Sequence, residues 1–522
     1  MTSSKTLKHG APLTLIFCAA FLVNAALSFF TGVPPAYQLS SDALVHVVHW
    51  REFSQTYAGN FSRDDMFHNN RVWPAGQLFV DNVLVRFGEA LRVDLLTWTL
   101  IVSGFSLALF LSGVYALIFF STQSRVLATV LSLVSIIPVI SLGLSGWSFL
   151  VKGFVPKELA LGIAVWLSLL YVQGVTTGSR KKMSLFFVLL GVCSNGYPVL
   201  FFHYAAVILT AEIIRERSLK KEHILYGFLF LASAPVAFFD TFVRVSRFSA
   251  PASDIIYSHY TQTLHSWRYL VLHYLRKQYL YALLVWLLWY LYRRRAHKEY
   301  PVKVGLWYGI WWSSLIWSLL GVILEFTPYA KYLIARTSVW FYFASMILVG
   351  YSAYELYFAR YRRSVKTIAL FSVTLWCLVL GQTSVLNVYD GIRDLRNDAT
   401  EYAYYLSLVT RIQSLIPPDS LVLANPDAEA NTARAYGGVG TFVAAKDGNV
   451  ALYDGDAARK WFSRYRQTQA VFAQKNFSAL KDFAAARDLR YILFNKKDFG
   501  DGADEPQRAL LRSGPYSLIR IN

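Results

Sequence analysis

The chain is a series of long apolar runs joined mostly by short polar connections. Windows of about 19 residues pick out about eleven runs long enough to cross a bilayer as helices. They lie roughly at residues 11–31, 95–120, 127–146, 158–176, 183–195, 198–214, 224–243, 276–292, 304–325, 339–357 and 367–385. The fifth and sixth runs are short and meet at residues 194–198, so they form either two spans or a broken, re-entrant pair. The pattern predicts an α-helical polytopic membrane protein.

Basic residues in the short loops predict the orientation. With the N-terminus in the cytoplasm, every strongly basic short loop falls on the cytoplasmic side, as the positive-inside rule requires. These loops are at Arg125, Arg180–Lys182, Arg215–Lys221, Arg293–Arg295 and Arg360–Lys366. We therefore expect an N-in, C-out topology, with a transmembrane domain over residues 1–385. Residues 32–93 form a large first external segment in this topology.

The pattern changes near residue 385. A polar helical connector over 386–418 ends at Pro417-Pro418. Short alternating runs then predict strands at SLVLAN, TFVAAK, RYILFN and YSLIRI, with helices at DAARKWFSRYRQTQAVFAQ and SALKDFAAARDL. Alternating strands and helices predict a small extracytoplasmic α/β domain over 419–522, with a partly parallel sheet. The glycine-rich stretch Tyr436–Gly440 precedes a strand, whereas phosphate-binding loops follow one, so no nucleotide site is expected there.

Composition agrees with a membrane protein. The chain is 55% hydrophobic and only 16% charged, and its mean hydropathy is +0.36. A net charge of +19 would suggest nucleic acid in a soluble chain. Because membrane orientation explains the basic loops, the expected partner is the lipid bilayer and no nucleic acid. Cys18, Cys193 and Cys377 all lie in apolar runs, so neither a disulfide framework nor a cysteine metal site is expected. The cysteine-free tail fits a bacterial inner (plasma) membrane protein.

The first external segment carries the candidate chemistry. About 60 residues between two spans is far more than a link needs. Asp42, His46 and His49 are spaced i, i+4 and i+7, so in a helix they share one face. Asp64 and Asp65 form a second acidic group. Two other interpretations stay open: Asp42 caps a helix, and His49 simply packs beside Trp50.

This layout resembles the GT-C-type integral membrane glycosyltransferases. The resemblance rests on the acidic first external loop, the ten or so following spans, the external C-terminal domain and three segments. The segments are GFVPKELALGIAVWLSLL, LLGVCSNGYPVLFFHYAAVIL and RAYGGVGTFVAAKDGNVALYDGDAARKWFSRYR, the last resembling a domain of uncharacterised bacterial members. Asp42 is followed by Ala43-Leu44, so a clean Asp-x-Asp is absent, and so is the Trp-Trp-Asp motif of oligosaccharyltransferases.

The resemblance implies a sugar donor that is a polyprenyl-phosphate lipid, and a glycan, lipid or protein acceptor. It also implies an acidic residue of the first loop as catalytic base or metal-associated carboxylate. Asp42, helped by His46 and supported by His49, is the expected base for an inverting displacement by the acceptor hydroxyl. Asp42, Asp64 and Asp65 would hold Mg²⁺ or Mn²⁺ if a divalent cation is required. Otherwise Asp64 and Asp65 belong to a solvated helix start.

The donor phosphate needs cations at the outer surface. Arg336, Lys157 and Lys331 are the expected ligands, with Glu158 in a supporting role. Interfacial snorkelling explains the same cations without a ligand, and Glu158 can simply favour a helix N-terminus.

A non-enzymatic alternative is a transporter of lipid-linked sugar or a scaffold for envelope polysaccharide assembly. A transporter would concentrate ionisable residues inside its spans. The predicted span interiors are almost free of them, which favours the glycosyltransferase and leaves the scaffold open.

Overall fold

The fold is taken from a computed structural model of the chain. The structure describes residues 41–61, 64–65, 75–135, 139–141, 145–147, 155–244, 276–296, 299–324, 334–358, 363–371, 399–452, 455–499 and 509–521, together with residues 18, 255 and 374. The predicted first span, 11–31, therefore lies outside the described residues apart from residue 18.

Most of the chain before residue 360 is helical. In chain order the helices are α1 (Ser41–Phe53), α2 (Ala75–Ala90), α3 (Leu95–Thr122), α4 (Arg125–Val134), α5 (Pro156–Thr176), α6 (Arg180–Ser194), α7 (Pro198–Glu216), α8 (Lys221–Ser233), α9 (Pro235–Phe238), α10 (Arg276–Ala296), α11 (Val302–Leu324) and α12 (Ser338–Phe358). Residues 363–371, at the start of the last predicted span, are helical too. Among the described helices, α3, α5, α7 and α11 are each long and apolar enough to cross a membrane. The chain is a multi-pass membrane protein, and eleven spans with an N-in, C-out orientation stay predictions.

The predicted span at 127–146 is wrong as a continuous helix. Helix α4 ends at Val134, and β1 (Val139–Ser141) then pairs antiparallel with β2 (Ser145–Trp147). In the sequence Pro138 separates α4 from β1, and proline both lacks an N–H and clashes with the preceding helical turn. Leu131 packs against Gly350 in the middle of α12, and β1 and β2 contact α12 as well. The described part of this segment therefore packs on α12 as a short helix and an antiparallel strand pair.

The predicted span at 224–243 is wrong as a straight helix. Helix α8 stops at Ser233, and the chain bends by 88° before it continues through α9 and a π-helical turn, Phe239–Arg244. Pro235 stands at the bend, where its missing N–H interrupts the helical ladder. By contrast, α6 and α7 are two separate helices joined by a tight turn at 195–197, an arrangement that fits both alternatives, two spans or a re-entrant pair.

The described tail forms an α/β unit. Its elements are α13 (Ala399–Ile412), β3 (Leu421–Leu423), α14 (Glu429–Gly437), β4 (Gly440–Thr441), α15 (Gly455–Ala473), α16 (Phe477–Ala485), β5 (Tyr491–Asn495), β6 (Ala509–Ser513) and β7 (Tyr516–Arg520). The strand order is β4-β3-β5-β7-β6, with β3 parallel to β4 and β5 and the other pairs antiparallel. This is a partly parallel sheet, as expected. Helix α14 and strand β6 were not expected, and of TFVAAK only Thr441 is in a strand, the two-residue β4.

Helices cover both faces of this sheet. Successive side chains of β5 point to opposite sides, and both sets are buried. Ile492 and Phe494 are buried with α15 and α16, whereas Tyr491 and Leu493 are buried with α13 and α14. Helix α13, expected as a connector, packs on α14, β6 and β7. The second of these cores also contains residues of α1, α2 and α3, so these helices and the tail share one hydrophobic core.

Candidate functional site

Helix α1 is buried on every side along residues 43–50. Its apolar residues pack into the core shared with the tail, and it contacts α2, α3 and α14. The expected polar face is not open to solvent, because His46 and His49 are also buried. Helix α1 therefore joins the membrane helices to the tail.

Asp81 of α2 brings the two histidines of α1 together. His46 Nδ1 and His49 Nδ1 each lie 3.1 Å from the same oxygen, Asp81 Oδ2. The other oxygen, Oδ1, accepts a hydrogen bond of 3.0 Å from Trp50 Nε1. Asp81 is fully buried. Burial raises the pKa of this carboxyl, but the two imidazoles outweigh it and hold the pKa well below its usual range. Asp81 is therefore ionised at neutral pH.

Asp42 lies in the first turn of α1, one turn before His46. The structure does not describe the side chain of Asp42, and it does not describe Lys331 at all. The roles expected for these two residues stay predictions.

Asp64 and Asp65 lie in different environments. Asp65 is completely buried and receives Arg434 of α14, with Nη2 at 3.0 Å from Oδ1 and Nε at 3.1 Å from Oδ2. The backbone N–H of Thr441 also donates to Asp65 Oδ2 at 2.8 Å. Asp64 is exposed. The expectation that this pair holds a divalent cation is corrected for Asp65, whose oxygens already bind Arg434 and a backbone N–H.

Arg434 also forms an ion pair within the tail. Arg434 Nη1 and Nη2 bind Asp447 at 2.7 and 3.2 Å. The two neighbouring carboxylates raise the pKa of Arg434 against the lowering effect of burial. Arg51 of α1 donates to the carbonyls of Ala435 and Tyr436 at the end of α14, at 2.6 and 3.1 Å. Cations are favourable at a helix C-terminus, so Arg51 stabilises the contact between α1 and α14. The ion pair of Arg434 with Asp65 holds the tail to the same part of the chain.

An apolar cavity of about 560 Å³ lies on the other side of α2. Gly76, Phe79 and Val80 share one face of α2 at helical spacing and line it. The other lining residues come from the start of α5, the turn between α6 and α7, and the bend after α8, and they include Pro156, Leu159, Ile163, Val192, Tyr197, Phe201 and Val236. Helix α2 thus separates this cavity from the His46–His49–Asp81 cluster.

Asn195 holds this junction together. Its Oδ1 accepts from the N–H groups of Val236 and Ala237 at 3.0 and 3.1 Å, and its Nδ2 donates to Ser233 O at 2.9 Å. Gly76 approaches the same turn so closely that a Cβ there would lie 1.3 Å from Asn195 O. Asp240 adds a cap, because its Oδ2 accepts from the Ala75 N–H at 2.8 Å.

Lys157 and Arg336, two of the expected phosphate ligands, belong to other elements than the histidine cluster. Lys157 is half-buried in the first turn of α5, between the cavity residues Pro156 and Leu159, and Glu158 beside it is buried. Arg336 lies in a 3₁₀ turn, Ile334–Thr337, that packs against α7, α11 and β2. The Nε–H of Arg336 is buried and donates no hydrogen bond to any acceptor among the described residues. A buried, unsatisfied guanidinium nitrogen is costly unless an acceptor binds it.

Sequence reasoning missed Asp81, Asn195 and Asp240. Asp81 and Asn82 are the polar residues of an otherwise apolar stretch of α2, FVDNVLV, and a lone acid at such a position is a usable signal. Asn195 and Asp240 follow or precede breaks in apolar runs, and their partners become visible only once those breaks are folded.

Comparisons with known proteins are sparse. No protein-family model matches the chain, and no curated protein matches it. Among solved structures, the archaeal oligosaccharyltransferase AglB from Archaeoglobus fulgidus, in complex with an inhibitory peptide and a dolichol-phosphate, is similar at 12% identity and a TM-score of 0.44. The match covers 94% of this chain and 70% of that one. At that score the roles of the residues rest on their geometry alone.

Proposed function

We propose that this protein is a membrane glycosyltransferase that takes a sugar from a polyprenyl-phosphate donor on the outer face of the membrane. The observation that carries the proposal is the apolar cavity between α2 and the membrane helices. Its rim includes Phe79, Val192 and Val236, which are large apolar side chains exposed in the structure. An apolar opening among membrane helices suits a lipid chain that enters sideways from the bilayer, and its volume is typical of a ligand site.

The donor headgroup would lie near the start of α5. Lys157 stands between two residues of the cavity wall, so a lipid chain in the cavity brings its phosphate within reach of a cation. The unsatisfied Nε of Arg336 supports a second phosphate contact. Lys331 is a third phosphate ligand predicted from the sequence. Charge-assisted hydrogen bonds of this kind are the strong ones for phosphate.

Asp42 is the proposed base. The acceptor hydroxyl attacks the anomeric carbon as the carboxylate of Asp42 takes its proton. The bond from the anomeric carbon to the phosphate oxygen breaks, and polyprenyl phosphate leaves with the electron pair. The tail would present the glycan, lipid or protein acceptor, since it is bound by Arg51 of α1 and, through Arg434, by Asp65.

Photocrosslinking tests the cavity directly. The purified chain in detergent is irradiated with a diazirine-bearing polyprenyl phosphate, and the labelled peptides are mapped by mass spectrometry. We expect labels within residues 75–80, 156–163 and 192–197, with competition by unlabelled polyprenyl phosphate. Labels confined to other surfaces would contradict the proposed donor site. Labelling of the cavity without any sugar transfer by the same preparation would favour the transporter or scaffold.

A further inference from the structure

The His46–His49–Asp81 cluster has the composition of a metal site. Two imidazoles and one carboxylate converge, and their ligand atoms lie within 4.8 Å of one another. His46 and His49 are three residues apart on one face of α1, and Asp81 faces them from α2. We propose that these three residues bind one divalent transition-metal ion of the Zn²⁺ class. This site is different from the expected Asp42, Asp64 and Asp65 set, and it does not depend on the proposed sugar transfer.

The distances fit a tetrahedral ion. Zn²⁺ binds nitrogen and oxygen at about 2.0 Å, and at the tetrahedral angle two such ligand atoms lie about 3.3 Å apart. Both imidazole Nδ1 atoms lie 3.1 Å from Asp81 Oδ2. The two rings stand at 72° to each other, with centroids 5.8 Å apart, so both can direct a nitrogen toward one point beside Oδ2. Three protein ligands leave a fourth position for water or another ligand.

Trp50 orients the carboxylate. Its indole N–H donates to Oδ1 at 3.0 Å, which leaves Oδ2 directed at the histidines. Outer hydrogen bonds of this kind fix ligand orientation at metal centres and are part of the site. The two helices that carry the ligands pack against each other and the three ligand side chains are buried, so these groups are held in place before an ion binds.

Charge distinguishes this cluster from a second one. Glu212, Glu216 and His223 also lie close enough to hold an ion. There, however, Arg215 Nη2 lies 2.6 Å from Glu212 and Lys220 Nζ lies 2.8 Å from Glu216, so the carboxylates already have cations. Among the described residues, neither lysine nor arginine contacts Asp81.

The donor set also selects the metal. Imidazole nitrogens suit Zn²⁺ and its neighbours in the first transition row, whereas Mg²⁺ prefers oxygen ligands in octahedral geometry. A hydrogen-bonded network without an ion is the alternative, because two imidazole N–H groups and one indole N–H can together satisfy the carboxylate. The two accounts differ in metal content.

The test measures metal on the full-length chain in detergent. After treatment with a chelator, the protein is dialysed against Zn²⁺ or Co²⁺, and bound metal is measured by inductively coupled plasma mass spectrometry. We expect about one ion per chain for the wild type and its loss in His46→Gln/His49→Gln and in Asp81→Asn. His223→Gln, from the charge-compensated cluster, is the matched control and should keep the ion. The Co²⁺ form should show visible ligand-field bands typical of tetrahedral coordination.

Stability gives a second measurement that does not need the variants to be active. An ion that binds only the folded state raises the melting temperature, so Zn²⁺ should raise that of the wild type and of His223→Gln but not that of the double variant. A metal-free wild type after dialysis, or an unchanged ion in the double variant, would overturn the proposal and leave a hydrogen-bonded network. Loss of the ion only in His223→Gln would place the metal at the other cluster. None of these outcomes changes the photocrosslinking result for the lipid cavity.

Discussion

Arg434 of the C-terminal tail binds Asp65, which lies between α1 and α2, with Nη2 and Oδ1 3.0 Å apart, although 369 residues separate them in sequence. Both side chains are completely buried. On its other edge Arg434 binds Asp447. The ion pair therefore joins two distant parts of the chain around helix α1, which carries the histidine cluster and the proposed base.

Removing this arginine should release the tail. Arg434→Met leaves two buried carboxylates without their cation, and breaking a buried pair from one side costs about 3–5 kcal/mol of unfolding free energy. Pulse proteolysis in urea, followed by a blot for the tail, measures the loss. Arg459→Met is the matched control, because Arg459 is an exposed partner of Asp456 and exposed pairs contribute little. Equal proteolytic stability of Arg434→Met and wild type would contradict a stabilising role for the pair.

Glu429, at the start of α14, should make the tail sensitive to alkaline pH. Burial raises its pKa to about 8. Because the folded state keeps a proton that the unfolded state has released, stability is full below about pH 4.5 and falls as pH rises toward 8. Glu429→Gln cannot lose that proton. We expect the melting temperatures of wild type and Glu429→Gln to agree near pH 5 and the variant to be the more stable near pH 8. Parallel pH curves for the two proteins would disprove this account.

The close approach of Gly76 to the α6–α7 turn should not tolerate a methyl group. A Cβ at residue 76 would collide with Asn195 O, so Gly76→Ala must displace the start of α2 and deform the cavity wall. We expect a lower melting temperature and weaker crosslinking to polyprenyl phosphate. Gly227→Ala is the control, because a Cβ there meets its nearest atom at 3.9 Å, and alanine favours a helix interior by about 1 kcal/mol.

Filling the cavity from its rim should weaken donor binding without unfolding the chain. Val236 lines the cavity and is 40% exposed, so Val236→Trp can place its ring across the opening. We expect the donor KM to rise by about tenfold or more, the equivalent of about 1.4 kcal/mol, at an unchanged melting temperature. Val126→Trp, at an exposed position of α4 away from the cavity, should change neither quantity. An unchanged KM in Val236→Trp would move the donor lipid elsewhere.

Hydrophobic runs were enough to predict α3, α5, α7 and α11, the described helices that are each long and apolar enough to cross a membrane, because their apolar character is local. They were not enough at Pro138 and Pro235, where an apolar run continues but the backbone cannot stay helical. Helix α14 was missed because EANTARAYG has few apolar residues of its own and is buried by contact with α1 and α13.

The site was harder to predict than the fold. His46 and His49 were identified from their spacing on one helix, but their partner Asp81 lies more than thirty positions away on another helix. Asp65 was assigned to a metal because its neighbour Asp64 is also acidic, yet its side chain is buried against Arg434. Long-range ion pairs leave no periodic signal in one sequence, so the partners of both carboxylates required the folded structure.

The central claim is transfer of a sugar from a polyprenyl-phosphate donor, with Asp42 as base. The most direct measurement is a mass-spectrometric profile of lipid-linked saccharides in a deletion strain that carries wild type, Asp42→Asn or the exposed control Asp456→Asn at equal membrane levels. We predict that the deletion accumulates one polyprenyl-phosphate sugar, that wild type and Asp456→Asn clear it, and that Asp42→Asn does not. Clearance by Asp42→Asn would contradict the role of Asp42, and an identical profile in every strain would contradict the transferase itself.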